Sequence, residues 1–198
     1  LASGHGALDD FGVHPLSLIT TLLGPVARVI CQQSTPYATR PTKDGVPRVV
    51  ETSDIANVLF ELASGASGIL ALNRAAWGRK GRIAVQLYGD KGSILYDQER
   101  FNELQLYTAD GPKEIRGFRT VLAAPVHAPY DKFIPAAGHS LGFNDLKIIE
   151  CHELLNRIAG KPARVIDFAA GLEIERAVAA MALSSERARW VDVASVEV

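Results

Sequence analysis

Residues 55–107 read IANVLFELASGASGILALNRAAWGRKGRIAVQLYGDKGSILYDQERFNELQLY, and this stretch decides the fold. It contains five short apolar or alternating runs of the kind that form β-strands, at residues 55–62, 68–75, 82–88, 93–96 and 103–107. The turn-forming sequences SGASG, WGRKG, GDKG and QERFN separate them. Because connections this short cannot hold a crossover helix, we expect a mainly antiparallel sheet.

The flanking sequence adds helices and further strands. Pro15 near the start and Gly24-Pro25 at the end predict a short helix from His14, followed by a strand at 26–33. Residues 35–47 and 112–135 are rich in proline and predict irregular structure, and a segment as long as the second is usually functional or faces a partner. Helical spacing predicts a helix over 141–158 and another from an Asp167 cap through Leu183. The end, 190–198, alternates like an edge strand.

These elements predict an α+β fold in which an open, mainly antiparallel β-sheet carries helices on one face. The other face must find cover elsewhere, so we expect a homo-oligomer. The 198 residues carry 21 Lys and Arg against 22 Asp and Glu, a balance that predicts neither a nucleic-acid nor a membrane partner. Two cysteines, each in an apolar run and expected to be buried, cannot form a disulfide framework and favour the cytoplasm.

Ionisable residues are densest in the signature segment, residues 4–14, which reads GHGALDDFGVH. Asp10 and His14 are four residues apart at a helix start and therefore face the same side. A carboxylate that orients an imidazole suits general acid–base catalysis near neutral pH. Spacing alone leaves two other interpretations open. Asp10 could cap the helix beside a packed His14, or His5, Asp9, Asp10 and His14 could bind a metal ion.

Three residues outside the signature segment are candidate substrate contacts. His139 lies where a loop meets the predicted helix at 141–158, although a surface histidine is an equal alternative. Trp77 and Arg79 form an aromatic and basic turn that could contact substrate, a second subunit or only solvent. His152 falls on the apolar stripe of its helix, which favours a structural role.

Five motifs in order resemble the C-terminal half of the Gfo/Idh/MocA family of NAD(P)-dependent oxidoreductases. GHGALDDFGVHPLSLITTLLGPVARV is similar to the family's G-x-x-x-D-x-G-x-H opening, ANVLFELASGASGILALN to its strand–turn–strand, and IAVQLYGDKGSILYD to its i-x-G-x-x-G-x-i hairpin. FNDLKIIECHELLNRIAGKPARVIDFAAGLEIERAVAAMALSSERARWVDV is similar to its closing helices and final strand. The likeness spans nearly the whole chain, 1–198.

The resemblance implies the substrate-binding and oligomerisation domain of a dehydrogenase that oxidises a hydroxyl of a sugar, cyclitol or related polyol. It assigns Asp10 and His14 as the acid–base pair, with His14 taking the hydroxyl proton and Asp10 orienting it. It also implies NAD or NADP, held by an N-terminal Rossmann domain, and subunit pairing through the exposed sheet face.

The sequence departs from the family pattern in two respects. Ser17 stands where the family commonly has an aspartate. The chain also contains neither the glycine-rich dinucleotide fingerprint nor the EKP-type lysine motif. In addition, it begins at Leu1, and its one methionine is Met181. We therefore expect the C-terminal portion of a longer enzyme, inactive alone. The alternative is a non-catalytic binding or oligomerisation module that keeps the fold without the chemistry.

Overall fold

A computed structural model describes residues 4–197, which divide into two units. The first comprises the described residues up to Gly78 together with those from Ile166 onward, and the second spans Arg79–Val165. The α-helices are α1 (Val13–Leu23), α2 (Phe143–Ile158) and α3 (Phe168–Arg187). The strands are β1 (Val26–Ser34), β2 (Thr39–Pro41), β3 (Pro47–Val49), β4 (Ile55–Leu62), β5 (Ser67–Asn73), β6 (Ala84–Tyr88), β7 (Gly92–Asp97), β8 (Glu103–Thr108), β9 (Arg119–Leu122) and β10 (Val191–Asp192).

The first unit is built on a four-stranded antiparallel sheet in the order β10-β1-β4-β5. Burial alternates along β4, because one face of the sheet packs on α3 and α1 while the other does not. The core between sheet and helices includes Leu16, Ile19, Val29, Val58, Phe60, Leu70, Leu72, Ile174, Val178 and Met181. Cys31 belongs to this core, and burial raises the pKa of its thiol to about 11.

The opposite face of this sheet, the open face, carries an apolar stripe. Ile30 pairs with Leu59 and Leu59 pairs with Ile69, so the three side chains lie in a row across β1, β4 and β5. Leu59 is 48% and Ile69 76% exposed. Beside the stripe, Arg28 donates to the carboxylate of Glu61 and holds the pKa of that carboxyl below its usual range.

The second unit holds another antiparallel sheet, in the order β6-β7-β8-β9. The side-chain amide of Asn102 exchanges two 2.9 Å hydrogen bonds with the backbone of Leu141 and so anchors the approach to α2. On α2, His152 is half-buried against the ring of Phe133, in agreement with its predicted structural role.

The predicted α+β class with antiparallel strands and helices is confirmed. The strands form two four-stranded sheets, since β5 and β6 do not pair. Two regions predicted as irregular contain strands: β2 and β3 form a small exposed hairpin, and β9 pairs with β8. These short strands lack alternating hydrophobicity, so periodicity did not reveal them.

Two further expectations need correction. Cys151 was expected to be buried, but it is exposed on α2, in a row with Ile148 and Leu155 that the described residues do not cover. The predicted edge strand at 190–198 is shortened to β10, followed by a 3₁₀ turn over Val193–Ser195, and Val198 lies outside the described residues. None of the described helices is long and apolar enough to cross a membrane.

Candidate active site

The signature segment forms a π-helical turn, Leu8–Gly12, that continues directly into α1. Leu8 is fully buried, and Gly12 packs so closely that a Cβ there would lie 3.2 Å from a methyl carbon of Leu72 on β5. The glycine therefore lets the turn lie against the sheet, while Asp10 and His14 remain on the exposed side. The sequence predicted a helix from His14 but not the π-helical turn, a feature that often marks functional sites.

The loop before this turn is fastened to the start of β4. Ala7 donates its backbone N–H to the Ser53 carbonyl at 2.9 Å, and the Ser53 hydroxyl donates to the His5 carbonyl at 3.2 Å. Gly6 has a positive φ of 64°, and a Cβ there would lie 2.4 Å from the Ser53 oxygen. Asp9 accepts the backbone N–H of His5 and thereby closes the loop. Asp9 is thus engaged with the backbone.

Asp10 and His14 are both exposed, and in the described residues they are not hydrogen-bonded to each other. The Asp10 carboxylate is 55% exposed and pairs with Arg74, whose Nε lies 3.4 Å from Oδ2. His14 is exposed, and within residues 4–197 its ring makes no hydrogen bond to Asp10. This geometry does not match the interpretation of a capping Asp10 beside a packed His14, since neither Asp10 nor any other side chain caps the turn or α1. Both side chains are exposed to solvent.

Arg74 is the residue near the pair that the sequence analysis missed. It follows β5 directly, and its guanidinium lies 5.8 Å from the centre of the Phe11 ring as well as beside Asp10. The one available signal was a basic residue at the end of a strand, which does not by itself reveal a partner in a distant part of the chain.

The described part of the chain contains no group of three His, Cys, Asp or Glu side chains that could hold a metal ion. His5 contributes its backbone carbonyl to Ser53, and Asp9 is engaged with the His5 N–H. The arrangement thus gives no support to the metal interpretation of the signature segment.

The other candidate residues are distributed over both units. Trp77 lies in the first unit and is 92% exposed. Arg79, in the second unit, forms an ion pair with Glu99 at 3.1 Å. The pKa of the Glu99 carboxyl is lowered because the carboxylate accepts hydrogen bonds from the Lys80 backbone N–H and from the Arg79 guanidinium. His139 is exposed in the second unit, with its Nδ1 3.2 Å from the Ala136 carbonyl.

A polar hollow of about 380 Å³ is lined in part by Gly4 and His5 of the signature segment. It is open to solvent, and neither Asp10 nor His14 lines it. The lining residues are Gly4, His5, Gln33, Ser34, Thr35, Glu51, Thr52 and Ser53.

Comparison with known proteins gives a match to one protein family. Residues 1–95 match the family model described as the GFO/IDH/MocA C-terminal domain. Levoglucosan dehydrogenase of Pseudarthrobacter phenanthrenivorans is 31% identical over 98% of this chain and 53% of its own length. These matches confirm the predicted resemblance to the C-terminal domain of the Gfo/Idh/MocA oxidoreductases.

Two solved structures are similar over nearly the whole chain. An NAD binding oxidoreductase from Klebsiella pneumoniae superimposes with a TM-score of 0.91 at 36% identity, over 98% of this chain and 52% of that one. Levoglucosan dehydrogenase in complex with NADH and levoglucosan gives a TM-score of 0.89 at 32% identity, over 98% and 52%. The chain therefore spans about half the length of the relatives it matches.

Proposed function

We propose that the natural protein carrying this chain is an NAD(P)-dependent dehydrogenase that oxidises a hydroxyl of a sugar, cyclitol or related polyol. In it, residues 1–198 are the substrate-binding and oligomerisation domain. The observation that carries the proposal is the match of 98% of this chain to about half of levoglucosan dehydrogenase, together with the exposure of Asp10 and His14 in the signature segment. We also propose a cytoplasmic location, which the two free cysteines favour.

His14 is the proposed general base. Its exposed imidazole can accept the proton of a substrate hydroxyl, while Asp10 orients the ring and stabilises the imidazolium that forms. In the structure the Asp10 carboxylate is paired with Arg74 through one oxygen, and the other oxygen is the one that would contact His14. A nicotinamide supplies the acceptor for the hydride that leaves the same carbon.

This chain's own residues do not fit a dinucleotide in the family's manner. Such sites are formed by a parallel βαβ unit with a glycine-rich turn, whereas every strand pair in residues 4–197 is antiparallel. We therefore place NAD or NADP on residues outside this chain and assign it no contact here.

Trp77, Arg79 and His139 are the substrate contacts that we propose beyond the acid–base pair. Trp77 presents an almost fully exposed ring, the kind of surface that stacks on the apolar side of a sugar. Arg79 and His139 are exposed donors suited to hydroxyl groups. We further propose that the open face joins two copies of the protein, since its apolar stripe has no cover among the described residues.

The direct test replaces His14 in the natural protein. We expect His14→Ala to lower kcat at least about 100-fold while the affinity for NADH stays unchanged, because the side chain acts on the substrate proton. His127→Ala is the matched control, since His127 is also exposed and is not a candidate site residue. Equal activity in the two variants would refute the role of His14, and an inactive wild type that still binds sugar would favour the non-catalytic module.

A further inference from the structure

Arg74 is held rigidly at the edge of the candidate site. Its backbone N–H donates to the Asp54 carbonyl at 2.9 Å, and Asp54 is itself 1% exposed. The Asp54 carboxylate forms an ion pair with Arg40 at 2.7 Å. This ion pair helps to hold Asp54, and through it the Arg74 backbone, in place at the end of β5. The Arg74 side chain is 35% exposed because it lies over the Phe11 ring, where a guanidinium is stabilised by the π-system.

The contact between Arg74 and Asp10 is an ion pair between partly exposed side chains. The atoms that it joins are Nε of Arg74 and Oδ2 of Asp10, 3.4 Å apart, and none of the described residues donates a hydrogen bond to the Asp10 carboxylate. Asp9 and His14 lie on the same helical stretch as Asp10, and the Asp54 carbonyl accepts the backbone N–H of Arg74. The ion pair with Arg74 restricts the orientations of the Asp10 carboxylate and leaves its second oxygen available.

We infer that Arg74 is a positioning residue that fixes the Asp10 carboxylate so that its free oxygen can orient His14. This inference rests on the proposed function of the Asp10 and His14 pair. Arg74 acts through Asp10 and does not need to touch the substrate.

Two other roles for Arg74 have different kinetic signatures. An arginine that binds the substrate directly contributes to KM, whereas one that only stabilises the fold changes the melting temperature and affects all steps alike. A positioning residue lowers kcat, and its effect disappears once the carboxylate it positions is removed. A double-mutant cycle with Asp10 therefore separates the three roles.

The experiment measures steady-state kinetics of the natural protein for Arg74→Met, Arg74→Lys, Asp10→Asn and the Asp10→Asn/Arg74→Met double variant. We expect Arg74→Met to lower kcat by about 10- to 100-fold with KM for the sugar nearly unchanged. Arg74→Lys should recover part of the loss, because the charge returns without the planar fork. In the Asp10→Asn background, Arg74→Met should have no further effect.

Arg82→Met is the matched control. Arg82 is 36% exposed and also pairs through Nε with an aspartate, Asp97, but it lies in the other unit. We expect kcat of this variant to equal that of the wild type. A rise in KM without loss of kcat, a loss that persists in the Asp10→Asn background, or equal effects of Arg74→Met and Arg82→Met would each overturn the inference. If Arg74→Met fails to fold, the same kinetic comparison is made with Arg74→Lys and with the Asp10→Asn/Arg74→Lys double variant.

A second readout does not depend on turnover. In ¹H–¹⁵N spectra of arginine side chains, Asp10→Asn should move the Nε–H signal of Arg74, which is assigned by its loss in Arg74→Lys. Asp97→Asn should move the Arg82 signal and leave that of Arg74 in place. An Arg74 signal unmoved by Asp10→Asn would overturn the inference. A wild-type protein without dehydrogenase activity would instead overturn the proposed function, so the two failures are distinguishable.

Discussion

Gly6 shows at the scale of a single residue why the signature segment begins with glycines. Its φ of 64° lies in the left-handed region, and an added Cβ would meet the backbone oxygen of Ser53 at 2.4 Å and its nitrogen at 2.8 Å. Backbone atoms cannot rotate away as a side chain can. A larger residue would therefore separate the loop from β4 and displace the turn that carries Asp10.

We predict that Gly6→Ala lowers the free energy of unfolding by about 2 kcal/mol or more, through the left-handed backbone and the collision together. Gly45→Ala is the control, because Gly45 has a φ of 77° and nothing within 4 Å of the added Cβ. It should cost about 1 kcal/mol, from the backbone alone. Urea unfolding of both variants measures the difference, and equal losses would show that the Ser53 contact is unimportant.

Asp10 and His14 could be proposed from the sequence because four-residue spacing on a helix brings side chains to one side. In the structure both residues are exposed. Arg74 could not be found in this way, since its contact with Asp10 depends on how β5 packs against the π-helical turn. Local periodicity carries no information about such a tertiary contact.

At the scale of elements, two hydroxyl groups join α3 to the edge of the sheet. Strand β10 pairs with β1 only at Arg28 and Val29, so the next backbone donors along that edge need other partners. The Ser184 hydroxyl accepts from the Cys31 N–H at 3.0 Å and donates to the Arg189 carbonyl at 2.6 Å. The Ser185 hydroxyl accepts from the Gln33 N–H at 3.1 Å.

We predict that Ser184→Ala destabilises the protein by about 1–3 kcal/mol, because it leaves the buried N–H of Cys31 without a partner. Ser185→Ala serves as the control and should cost less than about 1 kcal/mol, since water can reach the half-buried Gln33 N–H. Thermal unfolding of the two variants tests this. A larger loss for Ser185→Ala would contradict the assigned roles.

Elements with strong end signals were predictable from the sequence. Asp167 caps α3 by accepting the Ala170 N–H at 3.0 Å, and Gly24 ends α1 with a φ of 92°. The exposed β2–β3 hairpin and the π-helical turn carry no such signal. The first lacks a buried face, and the second differs from an α-helix only in its hydrogen-bond register.

At the scale of the whole molecule, the open face and the α2 row of Ile148, Cys151 and Leu155 are two exposed apolar surfaces. We predict that the wild-type natural protein is an oligomer joined through the open face and that Leu59→Glu dissociates it. The introduced carboxylate would lose its hydration in the interface, which opposes association. In the monomer the same carboxylate stays in water, so the fold should survive.

Light scattering after size exclusion gives the mass of each variant. Ile148→Glu is the control, because Ile148 is 56% exposed against 48% for Leu59 but lies on α2. It should leave the oligomer intact. Dissociation by Ile148→Glu but not by Leu59→Glu would place the interface on α2 and contradict the prediction.

Short turn-rich connections were enough to predict the antiparallel α+β class. They could not predict the separation into two sheets, because whether β5 pairs with β6 depends on the path of the residues between them rather than on their number. The substrate class was likewise beyond composition and spacing. The substrate class that we propose rests on the resemblance and on the match to levoglucosan dehydrogenase.

The proposed dehydrogenase activity is tested by hydride transfer from a sugar deuterated at its hydroxyl-bearing carbons to the nicotinamide, with the natural protein and with levoglucosan as the first probe. We predict that mass spectrometry finds deuterium in the reduced nicotinamide formed by the wild type, and that the His14→Ala variant forms it at least about 100-fold more slowly. Reduced nicotinamide without deuterium, or equal rates in the two proteins, would contradict the account.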